Sequence, residues 1–323
     1  MRPAPGGSGP AVYVRLSITD RCDLRCLYCR ARGPAAGARE GGAEALSAGE
    51  LARLMGVVDG VAPVRKVRLT GGEPLLRDDV VEVVAALRRA LPGAAIAMTT
   101  NGRRLPEAAA ALGRAGLDAV NVSLDVDDER RYAALTGGSL APVLEGLEAA
   151  RAAGLGTIKL NAVLLASYNA DRLAEVVRLA ARYGAEPRFI ELMPSGPAAE
   201  LHPREYVSAG EALERLGRAF EPRGSLGRSG AAERYAFRDG DRTIVVGLIT
   251  PVSSPFCAEC DRLRLDARGR LLACLRRSES TDLGGPLRRG DDAAVRRTVL
   301  EALAAKRPPE EGWACRDMSA IGG

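Results

Sequence analysis

Seven cysteines, at positions 22, 26, 29, 257, 260, 274 and 315, hold most of the chemistry available to this chain of 323 residues. The first three read Cys22-x3-Cys26-x2-Cys29 and the next three Cys257-x2-Cys260-x13-Cys274. A structural zinc ion is closed by four ligands, and a [4Fe–4S] cluster normally takes four thiolates. With three thiolates, one iron of such a cluster keeps an open position that a small molecule can occupy. Two triplets therefore predict two metal centres, each with a vacant corner. A competing reading gives the second triplet a zinc ion with Cys315 as fourth ligand, although Cys315 lies 41 residues beyond Cys274. No nearby Cys or His could close a zinc site at the first triplet. Cys315 is left as a free thiol without a role. The odd count, and an N-terminus (MRPAPGGSGP) without the apolar stretch of a secretory signal, argue against a disulfide framework.

Other reactive types are scarce. The single histidine, His202, makes His-based zinc hydrolysis and Ser–His or Cys–His catalysis poor readings. The basic residues are 43 Arg and three Lys (Lys66, Lys159 and Lys306), so the arginines read as compositional bias and the lysines carry more information. A net charge of +5 without a dense basic block suits an anionic small molecule better than nucleic acid. Hydrophobic residues at 46% and charged residues at 27% describe a globular chain, and no apolar run approaches a membrane span. A cytoplasmic protein is expected.

The elements that must position these residues alternate. Strands are expected at Val12–Ser17, Lys66–Leu69, Ala94–Thr99, Ala119–Leu124, Ile158–Leu165 and Arg188–Glu191. Helical patterns separate them: one opening at the capping box Ser47-x-x-Glu50, then Asp78–Ala90, Leu105–Gly113, Leu140–Ala153 and Ala170–Tyr183. A stretch at Ala31–Ala45 has no periodicity. Six βα units imply an α/β fold with a parallel sheet, a partial (βα)6 TIM-type barrel. Polar clusters fall at the strand ends: Ser17–Cys29, Thr70–Pro74, Thr99–Gly102, Ser123–Asp125 and Glu191–Pro194. Each alone reads equally well as an ordinary turn. Together they predict one pocket at the carboxyl ends of the strands, where such folds place their sites. Beyond a boundary near residue 200 the character changes. The expectation there is a helix at Ala209–Leu216, a loose Arg223–Gly230 stretch, strands at Arg234–Phe237 and Thr243–Ile249, a turn at Asp266–Gly269 within the second triplet, and a helix at Ala293–Ala305. Residues 1–200 would form the barrel and 201–323 a C-terminal iron–sulfur domain ending in Gly322-Gly323.

Cys22-x3-Cys26-x-Tyr28-Cys29, followed one strand later by Gly71-Gly72-Glu73-Pro74, resembles the radical S-adenosylmethionine (SAM) superfamily. Within it, the chain is similar to the GTP 3′,8-cyclase family. That likeness is carried by Arg15-Leu-Ser-Ile-Thr-Asp-Arg-Cys22, Val67 through Pro74, Asn121-Val-Ser-Leu-Asp125, Arg188-Phe-Ile-Glu-Leu-Met193, Cys257-x2-Cys260-Asp-Arg262-Leu-Arg264 and the Gly322-Gly323 end. The resemblance implies a lyase with two [4Fe–4S] clusters facing one cavity, on Cys22, Cys26 and Cys29 and on Cys257, Cys260 and Cys274. The first would chelate SAM and yield a 5′-deoxyadenosyl radical on reduction. That radical would take hydrogen from C3′ of GTP, and the carbon radical would attack C8; with one further electron and a proton this gives (8S)-3′,8-cyclo-7,8-dihydroguanosine 5′-triphosphate, the first step of molybdenum cofactor biosynthesis. The second would hold the guanine. By position, Tyr28, Gly72, Ser123 and Met193 resemble SAM contacts, with Gly72 letting backbone approach the ligand closely. Arg15, Lys66, Arg68, Thr99, Lys159 and Arg188 resemble GTP contacts, Arg262 and Arg264 a pair beside the nucleotide, and Gly322 and Gly323 a tail entering the cavity. An external electron donor, hand-over to cyclic pyranopterin monophosphate synthase and a homodimer are compatible with the resemblance; a nucleic-acid or membrane partner is not expected.

The chain departs from the family where Arg30-Ala31 replaces Met-Pro after the third cysteine. A radical SAM paralogue acting on another nucleotide or a peptide is the alternative. A non-enzymatic iron–sulfur or zinc-binding protein is a third reading, opposed by the Gly71–Pro74 loop.

Overall fold

Apolar and polar residues alternate along Val12–Ser17, and in an extended chain alternate side chains face opposite sides. Val12, Val14 and Leu16 therefore enter the core, while Tyr13, Arg15 and Ser17 face the other way. The same rule recurs in each strand of this computed structural model, which describes residues 11–29, 44–277, 279–306 and 312–313. The elements run β1 (Val12–Ser17), α1 (Ala48–Asp59), β2 (Val64–Thr70), α2 (Val80–Ala90), β3 (Ala95–Thr100), α3 (Leu105–Ala115), β4 (Ala119–Ser123), α4 (Glu129–Thr136), α5 (Ala141–Ala152), β5 (Thr157–Leu164), α6 (Leu173–Arg182) and β6 (Glu186–Glu191). They continue with α7 (Ala198–Glu205), α8 (Ala209–Ala219), β7 (Glu221–Ser229), β8 (Ala232–Asp239), β9 (Arg242–Ile249), β10 (Arg262–Leu265), β11 (Arg270–Leu272), β12 (Thr281–Asp282), α9 (Gly284–Arg288) and α10 (Asp292–Ala304).

One sheet takes in every strand, in the order β12-β11-β10-β1-β2-β3-β4-β5-β6-β9-β8-β7. From β1 to β6 neighbours are parallel, as six successive βα units require. The two ends of this order are not paired, so the barrel is partial and not closed by hydrogen bonds. The segment beyond residue 200 extends both edges: β9 pairs in parallel with β6, and β10 with β1. The second triplet's hairpin, β10–β11, thus sits one strand from the loop that carries the first triplet.

The capping box at Ser47 and Glu50 forms as expected. Arg223–Gly230, expected to be loose, is instead largely strand β7, and nearly all of its residues are exposed. Its lack of alternation follows: an edge strand with no buried face shows no period-2 pattern. α4, α7 and α9 also lie outside the periodic patterns. Arg30, most of Ala31–Ala45, Cys315 and Gly322–Gly323 lie outside the described residues.

Candidate active site

The predicted convergence is present. The carboxyl ends of the barrel strands enclose a cavity of about 650 Å³, lined by all three thiols of the first triplet and by Thr70–Glu73, Thr99–Asn101, Ser123, Asp125 and Glu191–Met193. Deeper in the barrel the inward positions of the strands contribute cations: Arg15, Lys66, Arg68, Lys159, Arg188, Arg262 and Arg264. Strand register brings them together, with Arg15 opposite both Arg68 and Arg264. Every residue expected at SAM or GTP from the resemblance and lying within the described residues lines this one cavity.

The cysteine loop is held from several sides. Asp23, next to Cys22, accepts from Asn101 Nδ2 at 2.7 Å and pairs with Arg103 at 2.7 Å. Arg25 N and Leu27 N donate to Thr136 and Leu135, carbonyls at the end of α4 that would otherwise lack partners. Glu73 N donates to Arg21 O at 2.7 Å. The Glu73 carboxyl is itself buried and accepts from Thr100 Oγ1, Asn101 N and Leu75 N. Burial pushes that carboxyl up to about 7 despite the three donors. Gly72 proves to serve loop packing: a Cβ there would stand 2.2 Å from the Arg21 carbonyl oxygen. Gly71, at φ +151°, has Thr19 O at 2.5 Å from the same virtual atom. The neighbouring backbone by itself thus demands both glycines, and both also line the cavity.

Tyr28 donates from its hydroxyl to Asp125 Oδ2 at 2.7 Å, while Val163 N donates to Oδ1 at 2.8 Å. Burial drives both groups toward their neutral forms, Asp125 up to about 6. Burial, then Cys29, Asp125 and Cys22, hold the Cys26 thiol well above its ordinary value. Thiolates collected in such a place need a compensating cationic centre, which an iron core supplies. Among the described residues no three Cys, His, Asp or Glu side chains converge on one point where a single ion could sit. A cluster, in which each thiolate binds a different iron, asks for no such convergence, so three half-buried thiols on a cavity wall fit one that keeps its fourth iron open.

The cationic floor is only partly compensated. Glu186 pairs with Arg188 at 2.7 Å and with Arg234 at 3.3 Å, and Asp261 pairs with Arg65. Lys66, Arg68 and Lys159 make no ion pair among the described residues. Burial, followed by Arg188 and Lys66, brings Lys159 down to about 8. Burial, followed by Arg264, brings Arg15 down to about 9. Arg68 donates through Nε to Tyr13 Oη at 2.7 Å and through Nη1 to Thr99 Oγ1 at 3.2 Å. Burial alone would raise the Tyr13 phenol, but Arg68, Arg15 and Lys66 outweigh it and bring it to about 7. The Arg262 guanidinium lies over the rings of both Tyr13 and Phe256, 5.7 and 4.8 Å from their centroids.

Cys257, Cys260 and Cys274 are half-buried and free. They do not line the cavity themselves, but their neighbours Phe256, Asp261, Arg262 and Leu275 do. Sequence reasoning gave Tyr13, Tyr132 and Asn161 no place at the site, and quoted Thr70 and Asn121 within motifs without assigning them a contact. The last four place buried polar atoms without a hydrogen-bond partner, and all five line the cavity. Strand alternation was the available signal for Tyr13, Asn121 and Asn161, since each shares a face with a residue already singled out.

Two family models match, Radical SAM superfamily over residues 16–180 and Molybdenum Cofactor Synthesis C over residues 185–311. A protein of Pelotomaculum thermopropionicum named GTP 3′,8-cyclase is 40% identical over 327 residues, covering 96% of this chain and 97% of the relative. One of the same name from Paenarthrobacter nicotinovorans is 41% identical over 357 residues, covering 100% of this chain and 99% of the relative. The chain belongs to the radical SAM superfamily, within its GTP 3′,8-cyclase family. It is an enzyme whose cofactors are SAM and two [4Fe–4S] clusters. The fold agrees: the structure of Streptococcus suis SuiB bound to precursor peptide SuiA superposes with a TM-score of 0.62 at 13% identity, over 96% of this chain and 76% of that one. Among the described residues no helix is long and apolar enough to cross a membrane.

Proposed function

We propose that this cavity converts GTP to (8S)-3′,8-cyclo-7,8-dihydroguanosine 5′-triphosphate. The observation that carries the reading is the stacking of two chemistries in one barrel: three thiols at the rim and a floor of strand-borne cations beneath them. When bound, the clusters and SAM supply the 5′-deoxyadenosyl radical that starts the reaction. In this reading Cys22, Cys26 and Cys29 hold one cluster, and Cys257, Cys260 and Cys274 the other. Tyr28, Gly72, Ser123 and Met193 lie around the rim, where SAM would sit. Lys66, Arg68, Lys159 and Arg188 stand lower on their strands and would receive the triphosphate, for which clustered cations with few carboxylates are the right chemistry. Thr99 and Tyr13 fix the Arg68 guanidinium. Arg262, held against two rings, and Arg264 beside Arg15 would bind the nucleotide from the second triplet's side.

The division near residue 200 belongs to this proposal: the first part supplies the radical centre and the second covers both sheet edges. So does the C-terminal Gly322-Gly323, as the piece that completes the cavity. Trp313 is stacked by Arg276 at 5.0 Å, beside Cys274, and the ten residues after it reach about 33 Å when extended. An external one-electron donor, and hand-over of the product to cyclic pyranopterin monophosphate synthase, complete the reading.

The test is anaerobic incubation of the reconstituted enzyme with GTP deuterated at C3′, SAM and dithionite. The expected result is an isomer of GTP together with 5′-deoxyadenosine carrying one deuterium. Deuterium-free 5′-deoxyadenosine, or SAM cleavage without a GTP isomer, would overturn the proposal.

A further inference from the structure

Lys306 is the one lysine that the nucleotide floor does not use. Lys66 and Lys159 line the cavity, whereas Lys306 follows α10 and points elsewhere. A lysine just past a helix end commonly caps that helix's own last carbonyls. Lys306 does not. Its Nζ donates to the carbonyl of Arg262 and, at 3.1 Å, to the carbonyl of Ala273, 44 and 33 residues back in the chain. The Cys260 and Cys274 thiols are close enough to act on its charge.

The two carbonyls are placed tellingly. Arg262 comes two residues after Cys260 and opens β10; Ala273 directly follows β11 and immediately precedes Cys274. One ammonium therefore ties together the two strand ends that present two of the three second-triplet thiols. An ammonium has three donors that can converge on three acceptors, which a planar guanidinium fork does less well. In a chain with 43 arginines against three lysines, that choice of head group is informative. α10 brings the lysine there by burying Val295 and Val299, and Arg296 Nη1 secures the helix to Gly60 O at 3.3 Å.

We propose that Lys306 is a positioning residue of the second metal centre, holding the Cys260 and Cys274 segments in register and offsetting the negative charge of the thiolate-ligated cluster. The inference rests on the reading that Cys257, Cys260 and Cys274 hold a [4Fe–4S] cluster. Potentials of such clusters respond to net charge and to hydrogen bonds at sulfur. A fixed cation beside the thiolates favours the more negative, reduced form.

The test uses the full chain carrying Cys22→Ser, Cys26→Ser and Cys29→Ser, so that only the second centre can be loaded, reconstituted with iron and sulfide. Iron content and the EPR-monitored reduction potential are compared with and without Lys306→Met and Lys306→Arg. Lys306→Met is expected to shift the potential to more negative values with about four irons retained, and Lys306→Arg, which keeps the charge, to restore it toward the parent. Loss of iron in Lys306→Met but not in Lys306→Arg supports the same role. An unchanged potential at full iron content, or equal iron loss in both variants, overturns the role of Lys306 alone. A parent chain that binds no iron overturns the cluster reading beneath it.

Discussion

Lys159 stands on β5 opposite Glu186, and burial, followed by Arg188 and Lys66, outweighs that carboxylate and holds it down to about 8. A bound triphosphate reverses that balance and raises the value. Between the free and bound values, binding must take up protons, and above about 8 an increasing share of the free enzyme must first be protonated. GTP affinity is therefore expected to weaken as pH rises through 8 toward 9. Calorimetry at pH 8 in buffers of different ionisation enthalpy should show proton uptake, which Lys159→Arg should reduce; identical enthalpies in all buffers, or an uptake unchanged in Lys159→Arg, would contradict this. Lys159→Ala should weaken GTP binding tenfold or more, the ~1.5–3 kcal/mol of a charge-assisted hydrogen bond, while SAM cleavage with dithionite continues. Equal loss of both would remove Lys159 from the triphosphate. Cys22→Ala, by contrast, should abolish 5′-deoxyadenosine formation altogether, read directly by chromatography. The cysteines were legible in the sequence because their spacing is local. The inward polar residues Tyr13, Asn121 and Asn161 were legible only as sharers of a strand face with Arg15, Ser123 and Lys159; that those faces meet in one cavity is set by the register of β1, β4 and β5.

At the scale of elements, the cysteine loop and the Gly71–Pro74 loop behave as one unit. Gly72 N donates to Thr19 O at 2.8 Å and Glu73 N to Arg21 O at 2.7 Å, so the two loops run in contact. A methyl group at Gly72 would collide with the Arg21 carbonyl, and backbone cannot step aside as a flexible side chain can. Gly72→Ala should displace the loop and cost on the order of 1–3 kcal/mol. Iron analysis of the reconstituted variant should then show loss at the first centre with the second retained; full occupancy of both would refute the packing argument. The elements that sequence reading missed share a physical cause. α4 (ERRYAALT) is short and charged, and what holds its end is the cysteine loop donating to its last carbonyls. β7 (EPRGSLGRS) is exposed along almost its whole length and exists through its ladder with β8, which is twice shifted in register. Neither signal is contained in the segment's own pattern. The parallel units were legible because each buries an apolar stripe that repeats with the period of its element.

Across the whole molecule, one buried carboxylate joins the barrel to the segment that follows it. Glu191 ends β6 and is 1% exposed. Its oxygens accept from Ala209 N at 3.0 Å, Tyr206 Oη at 3.3 Å, Val252 N at 3.0 Å, Ser253 N at 2.9 Å and the Ser253 hydroxyl. The donors come from the residue after α7, the start of α8 and the turn after β9, so a single side chain fixes three segments beyond residue 200. It also lies two residues from Met193 at the rim and, through Ser253, four residues from Cys257. With β9 on β6 and β10 on β1, the two parts of the chain share both a sheet and this carboxylate. They are therefore expected to unfold together, in one calorimetric transition of the metal-free protein. Glu191→Gln replaces one acceptor oxygen by a donor facing donors, and should lower stability by on the order of 3 kcal/mol. Its Tm should fall by several degrees while the transition stays single. Two separate transitions in the parent, or a Glu191→Gln variant that melts with the parent, would show that the halves are joined only by their connecting chain.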